Sequence, residues 1–182
     1  IGWTSRAPEI DGRFDSDEWA DAAHIDGLTQ ATPDPGTVAT QRTEIWIMTD
    51  GDSLYIAARL WDTNPEEIVA FGMKRDVNTT LDDRFGFTID PFLDRQNGYF
   101  FQVNPNGARR DSLLEGGSFE SNWDGRWYAK TSVDDKGGDL TEVARHFGLE
   151  IGRDWGCPQN LDFSVGISRE ELNYLYNASS DV

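Results

Sequence analysis

The sequence predicts an all-β fold, an antiparallel β-sandwich of roughly ten strands with one or two short helices. Three observations carry that prediction. Short apolar and aromatic runs alternate with turn clusters about every ten residues along the 182-residue chain. Helical periodicity is confined to a few short stretches. Hydrophobic residues make up 37% and aromatic residues 12%, enough for one sizeable core, so residues 1–182 read as a single domain.

In chain order, Asp15 to Ala23 is predicted to be a short helix. Asp15 would serve as its N-cap and Glu18 as the reciprocal capping-box residue. Gln30 to Gln41 is a Thr/Pro/Gly-rich loop. Thr43–Met48 and Ser53–Leu60 flank Asp50-Gly51-Asp52, which marks a β-hairpin. Pro65 opens a single helical turn. Further strands are expected at Arg84–Ile89, Gly98–Val103, Arg126–Val133 and Leu161–Ile167, and Ser168 could begin a last short helix.

Charge narrows the function classes. Sixteen Lys and Arg stand against 33 Asp and Glu, a formal net charge of -17. Such a chain repels nucleic-acid phosphates and anionic membrane surfaces. No apolar run approaches the roughly 20 residues a membrane-spanning helix needs, so direct membrane insertion is not expected. Cys157 is the single cysteine, which excludes an internal disulfide and suits an extracytoplasmic setting. The chain opens on Ile1, which reads as a processed or excised fragment.

The run Ile10-Asp11-Gly12-Arg13-Phe14-Asp15-Ser16-Asp17-Glu18-Trp19, the hairpin, and Asp83-Arg84-Phe85-Gly86-Phe87-Thr88-Ile89-Asp90 follow one another in a distinctive order. Together they resemble the family 9 carbohydrate-binding modules. The resemblance is greater to a related domain of unknown function found ahead of an outer-membrane β-barrel in Gram-negative bacteria. That match takes in Asp94-Arg95-Gln96-Asn97-Gly98-Tyr99, Phe101-Gln102-Val103-Asn104-Pro105-Asn106-Gly107 and Trp123-Asp124-Gly125-Arg126-Trp127, and runs continuously over residues 8–135. The resemblance implies a jelly-roll-related sandwich that binds a saccharide without catalysis, with structural Ca²⁺. Two departures stand out. Thr80-Leu81 occupies the place where sugar-binding members carry a tryptophan, and Arg145-His146 stands where Ile-Pro is expected.

Sugar recognition uses flat aromatic faces flanked by polar groups. Of the seven tryptophans, Trp19, Trp46 and Trp127 occupy amphipathic or mid-strand positions and read as packed. Trp61, Trp123 and Trp155 are the candidates for ligand contact, with Asn104 and Arg109 as polar partners. Asp82, Asp83, Asp90 and Asp94 are candidate Ca²⁺ ligands, because hard cations collect carboxylate oxygens. The alternative reading of these acids is turn shaping and pairing with Arg84, Arg95 or Arg109. Glu44, Asp90 and Glu142 are the acids considered as a hydrolytic pair, and nothing in their spacing favours one. The expected partner is an oligo- or polysaccharide. The competing reading is a periplasmic or cell-surface assembly module that contacts a protein or a second copy of itself.

Overall fold

The structure is a computed structural model. It describes residues 1–63, 65–91 and 93–134, together with the backbone of strands at 143–152, 162–167 and 175–176. Its two sheets are the faces of a sandwich. The first has the strand order β1 (Gly2–Trp3), β3 (Thr43–Thr49), β4 (Ser53–Asp62), β10 (Val143–Gly152), β9 (Trp127–Asp134), with β2 (Ala23–Ile25) also paired to β3. The second runs β12 (Leu175–Tyr176), β11 (Asp162–Ile167), β5 (Phe85–Asp90), β6 (Gly98–Val103), β7 (Arg109–Glu115), β8 (Ser118–Glu120). Neighbours pair antiparallel except β1, which lies parallel to the end of β3.

Period-two alternation builds the core. Ile45 and Ile47 of β3, Leu54, Ile56, Ala58 and Leu60 of β4, and Trp127 of β9 point inward from the first sheet. They meet Phe85, Phe87 and Ile89 of β5 and Phe101 and Val103 of β6. Burying each large side chain contributes roughly 1.5–3 kcal/mol. The hairpin is pinned as its sequence suggests. Asp50 accepts the N–H groups of Asp52 and Ser53 at 2.8 Å and the Tyr55 hydroxyl at 2.8 Å. Gly51 takes the left-handed φ of 93° that the turn requires. Burial raises the Asp50 carboxyl, but these donors outweigh it and hold the group below its ordinary value.

A second cluster forms on the outer face of the first sheet. Trp46 and Met48 of β3 and Tyr55 and Ala57 of β4 are covered by Ile10, Phe14, Trp19 and Ala22 of the N-terminal segment. Trp19 is 3% exposed, and Phe14 packs on Trp46 with ring centroids 4.0 Å apart. The segment reaches across to β9, where the Ser132 hydroxyl donates to the Gly12 carbonyl at 2.6 Å. A Cβ on Gly12 would lie 3.0 Å from the Thr131 backbone, so the crossing needs glycine.

Several elements differ from expectation. Residues 16–22 form turns ahead of β2, not a helix. Asp15 Oδ1 does accept from Asp17 N at 2.9 Å, as an N-cap would, but the turns it opens do not extend into a helix. Strands β7 and β8 escape sequence reading because β7 carries Arg109 and Asp111 on its inward side, which breaks the apolar alternation. Asp111 is satisfied there by Arg75, whose Nη2 reaches both carboxylate oxygens at 2.8 and 2.9 Å. Strand β10 falls where the sequence pattern departs from the family. Pro65–Glu67 does form the expected single turn, of 3-10 type. The proposed start of a helix at Ser168 lies outside the described residues.

Candidate functional site

The sequence candidates are dispersed by the fold. Trp61, near the end of β4, is half-buried on the outer face of the first sheet. The guanidinium groups of Arg42 and Arg59 lie over its ring, 4.6 and 4.7 Å from the centroid. The indole is therefore already in contact with two cations. Trp123 packs against the core, with Tyr99 5.2 Å and Phe101 6.2 Å away, at an end of the sandwich. Trp155 lies outside the described residues. Among the described tryptophans, the widely exposed one is Trp3, at 65%, on the short strand β1. Its position at a sheet margin gave no apolar alternation to draw attention to it.

Asn104 is fully buried and acts as a knot. Its amide donates to the Gly72 carbonyl at 2.8 Å and to Asp82 Oδ2 at 2.6 Å, and its Oδ1 accepts from Ala108 N at 2.8 Å. A solute has no route to it without unmaking that loop. Arg109 turns toward the interior, where its guanidinium donates to the Trp127 carbonyl and lies over the Trp127 ring.

The four aspartates do not fit one Ca²⁺ centre. Asp82 and Asp83 precede β5 and Asp90 ends it, so Asp83 and Asp90 are about 23 Å apart along an extended strand. Each also has a local task. Asp82 accepts from Phe71 N, Gly72 N and Asn104; Asp83 accepts from Val69 N; Asp90 accepts from Arg95 N. Asp94 accepts from Asn97 and from Gln96 N, which lowers its carboxyl below the ordinary value. These carboxylates tie loops to sheet ends.

The hydrolytic pairing also comes apart. Glu44 and Asp90 sit on the outer faces of different sheets, while such pairs need separations of about 5–9.5 Å. Sheet packing alone puts about 10 Å between the layers, and both carboxylates point away from it. Glu142 lies outside the described residues.

The outer face of the second sheet presents a different assembly. Strand register aligns Thr88 of β5, Phe100 of β6 and Ser112 of β7 in one row, and Gly86, Gln102 and Arg110 in the next. Thr88 and Ser112 are only 8% and 1% exposed, yet neither hydroxyl has a hydrogen-bond partner among the described residues. Arg110 is half-buried and has no hydrogen bond or ion pair among the described residues. Its neighbour Arg84 donates to the Thr79 carbonyl at 2.7 Å, and Gln102 accepts from the Thr79 hydroxyl at 2.9 Å. Burial first and the Arg110 charge second depress Arg84, against the opposing pull of Asp82 and Asp83. Phe119 of β8, 40% exposed, meets Phe100 edge-on at 5.4 Å, and Leu81 is exposed on the adjoining loop. Phe100, Gln102, Thr88 and Ser112 thus form a buried layer, and Arg110, Phe119 and Leu81 are what this face shows to solvent. Sequence reading selected Arg109, one residue from Arg110, because without β7 the alternation of faces was not visible.

No family model and no curated protein matches the sequence. Solved structures do share the fold. A protein from Bacteroides uniformis, described provisionally as carbohydrate-binding, superposes with a TM-score of 0.66 at 10% identity, over 95% of this chain and 84% of its own. A family 9 carbohydrate-binding module from Caldicellulosiruptor kristjanssonii in complex with glucose gives 0.58 at 16% identity, over 93% and 78%. The same organism's module in complex with cellotriose gives 0.56 at 16% identity, over 93% and 77%. This chain has the fold of the family 9 carbohydrate-binding modules.

Proposed function

We propose that the domain binds a saccharide without transforming it, on the outer face of the second sheet. The observation that carries this reading is the half-buried Arg110 guanidinium beside the buried Thr88 Oγ1 and Ser112 Oγ, three polar groups around Phe100 without a partner among the described residues. A buried hydroxyl without a partner costs about 1–3 kcal/mol, and a sugar hydroxyl that reaches these atoms as the side chains above them move aside removes that cost. Phe119, 40% exposed and backed by the buried Phe100, supplies apolar surface for the C–H side of a pyranose ring. The fold supports the reading by likeness to modules seen with glucose and cellotriose. An extracytoplasmic setting belongs with it, consistent with one cysteine and a charge of -17. The four carboxylates considered for Ca²⁺ are not brought together and are not part of this surface.

Calorimetric titration with glucose, cello-oligosaccharides and a wider saccharide panel tests the proposal. Arg110→Ala is expected to weaken binding roughly tenfold or more, as loss of a charge-assisted hydrogen bond should. Phe119→Ala should weaken it as well, and Trp61→Ala should leave it unchanged. The proposal fails if no saccharide binds. It also fails if Trp61→Ala abolishes binding while Arg110→Ala does not.

A further inference from the structure

The N-terminal cover leaves one corner of the first sheet's outer face open, where β2 ends beside β3. His24 lies in β2 and Asp26 just beyond its end, two residues apart, so an extended chain sends both to the same side. The register pairs His24 with Trp46 and Ile25 with Ile45, and one step further brings Asp26 level with Glu44. The His24 ring stacks on Trp46 at 4.8 Å and 17°, which fixes its plane, and its Nε2 is 3.2 Å from Glu44 Oε1. One ligand atom from each of His24, Asp26 and Glu44 lies within 4.8 Å of the others. Asp26 has no hydrogen bond or ion pair among the described residues.

We infer that His24, Asp26 and Glu44 form a binding site for a borderline divalent cation of the zinc type, on the face opposite the saccharide surface. Imidazole with carboxylates is the donor set that such ions take, whereas Ca²⁺ asks for six or more oxygens. In a tetrahedral site with bonds of about 2.0–2.2 Å two ligand atoms stand about 3.3–3.6 Å apart, so side-chain rotations that move an atom by about an ångström complete the site. Opposed carboxylates on paired strands repel one another, and a cation between them relieves that repulsion. His24 and Asp26 are exposed while Glu44 is buried, so the ion would keep open positions toward solvent. Arg42 is the built-in competitor. Its Nη2 holds Glu44 Oε1 at 2.8 Å, but its side chain is exposed and also rests over Trp61. It can release the carboxylate without losing the ring.

Zn²⁺ titration by calorimetry, with Co²⁺ followed by visible absorption, tests this in a Cys157→Ser background that removes the thiol. One ion per chain is expected. His24→Ala and Asp26→Asn should each weaken Zn²⁺ binding roughly tenfold or more, as loss of a ligand does. His146→Ala should have no effect, and Arg42→Ala should tighten binding several-fold. Both ligand substitutions fall on exposed side chains, and circular dichroism checks that the fold is retained. Zn²⁺ affinity indifferent to His24→Ala and Asp26→Asn would overturn the site, leaving only diffuse attraction to an acidic surface. Ca²⁺ binding as tightly as Zn²⁺ would overturn the assignment of the ion. Saccharide affinity is a separate readout, so the two proposals can fail independently.

Discussion

The two outer faces of the sandwich start from the same geometry and meet different ends. On the first sheet the outward residues of β3 and β4 are Trp46, Met48, Tyr55 and Ala57, and the chain covers them with its own Trp19 and Phe14. On the second sheet the outward residues of β5, β6 and β7 include Thr88, Gln102, Arg110 and Ser112, with Phe100 among them. An apolar face gains by being covered from within. On the second face Thr88, Phe100, Gln102 and Ser112 are buried as well, but the layer they form is polar and what it shows to solvent is Arg110 and Phe119. The position of the tryptophans follows from this contrast. Most of those described are used in packing, and the surface proposed for recognition carries phenylalanine and polar groups instead.

Trp19→Ala should break the covered face most severely. A buried tryptophan truncated to alanine costs about 3–5 kcal/mol, measurable by denaturant unfolding, while saccharide affinity of the folded protein stays unchanged. Asn104→Ala comes next. It strips Asp82, the Gly72 carbonyl and Ala108 N of partners, and a loss of about 2–4 kcal/mol is expected. The open face should respond in the opposite sense. Thr88→Val with Ser112→Ala removes two unpartnered hydroxyls, so stability should hold or rise by up to about 1 kcal/mol while saccharide binding falls. A drop in stability with binding intact would reverse the roles given to the two faces.

The smallest effects concern pH. The folded Asp50 carboxyl titrates below its ordinary value of 3.8. Its contribution is therefore complete above that value and is lost as pH falls through the lower, folded-state value. Asp50→Asn should flatten the acid limb of the stability profile. Asp76 behaves oppositely, raised first by burial and then by the charge of Asp111, with Arg75 opposing. Its penalty appears as pH rises from its unfolded toward its folded value, so Asp76→Asn should stabilise at neutral pH, by no more than about 0.5 kcal/mol. Asparagine also tolerates the left-handed φ of 58° at this position.

Much of the fold was legible because its central strands obey simple alternation. Thr43–Met48 and Ser53–Leu60 correspond to β3 and β4 with small boundary shifts, and Gly98–Val103 to β6 with none. The strands that escaped are those whose inward positions carry charge, as in β7, where Asp111 is paired by an arginine 36 residues away. No local pattern reveals such a partner. The site was less legible for a related reason. Composition drew attention to tryptophan, asparagine and aspartate, but whether each faces solvent depends on cross-strand register and on loops that fold back. Asp82 and Asn104 look like ligand groups in sequence and serve to hold each other.

The most direct test of the account is an amide-resolved NMR titration with the tightest saccharide found in the panel. Chemical-shift changes are expected to cluster at Thr88, Phe100, Gln102, Arg110, Ser112 and Phe119, with Glu44, Arg59 and Trp61 undisturbed. Shifts confined to the Trp61 corner would contradict the assignment of the two faces.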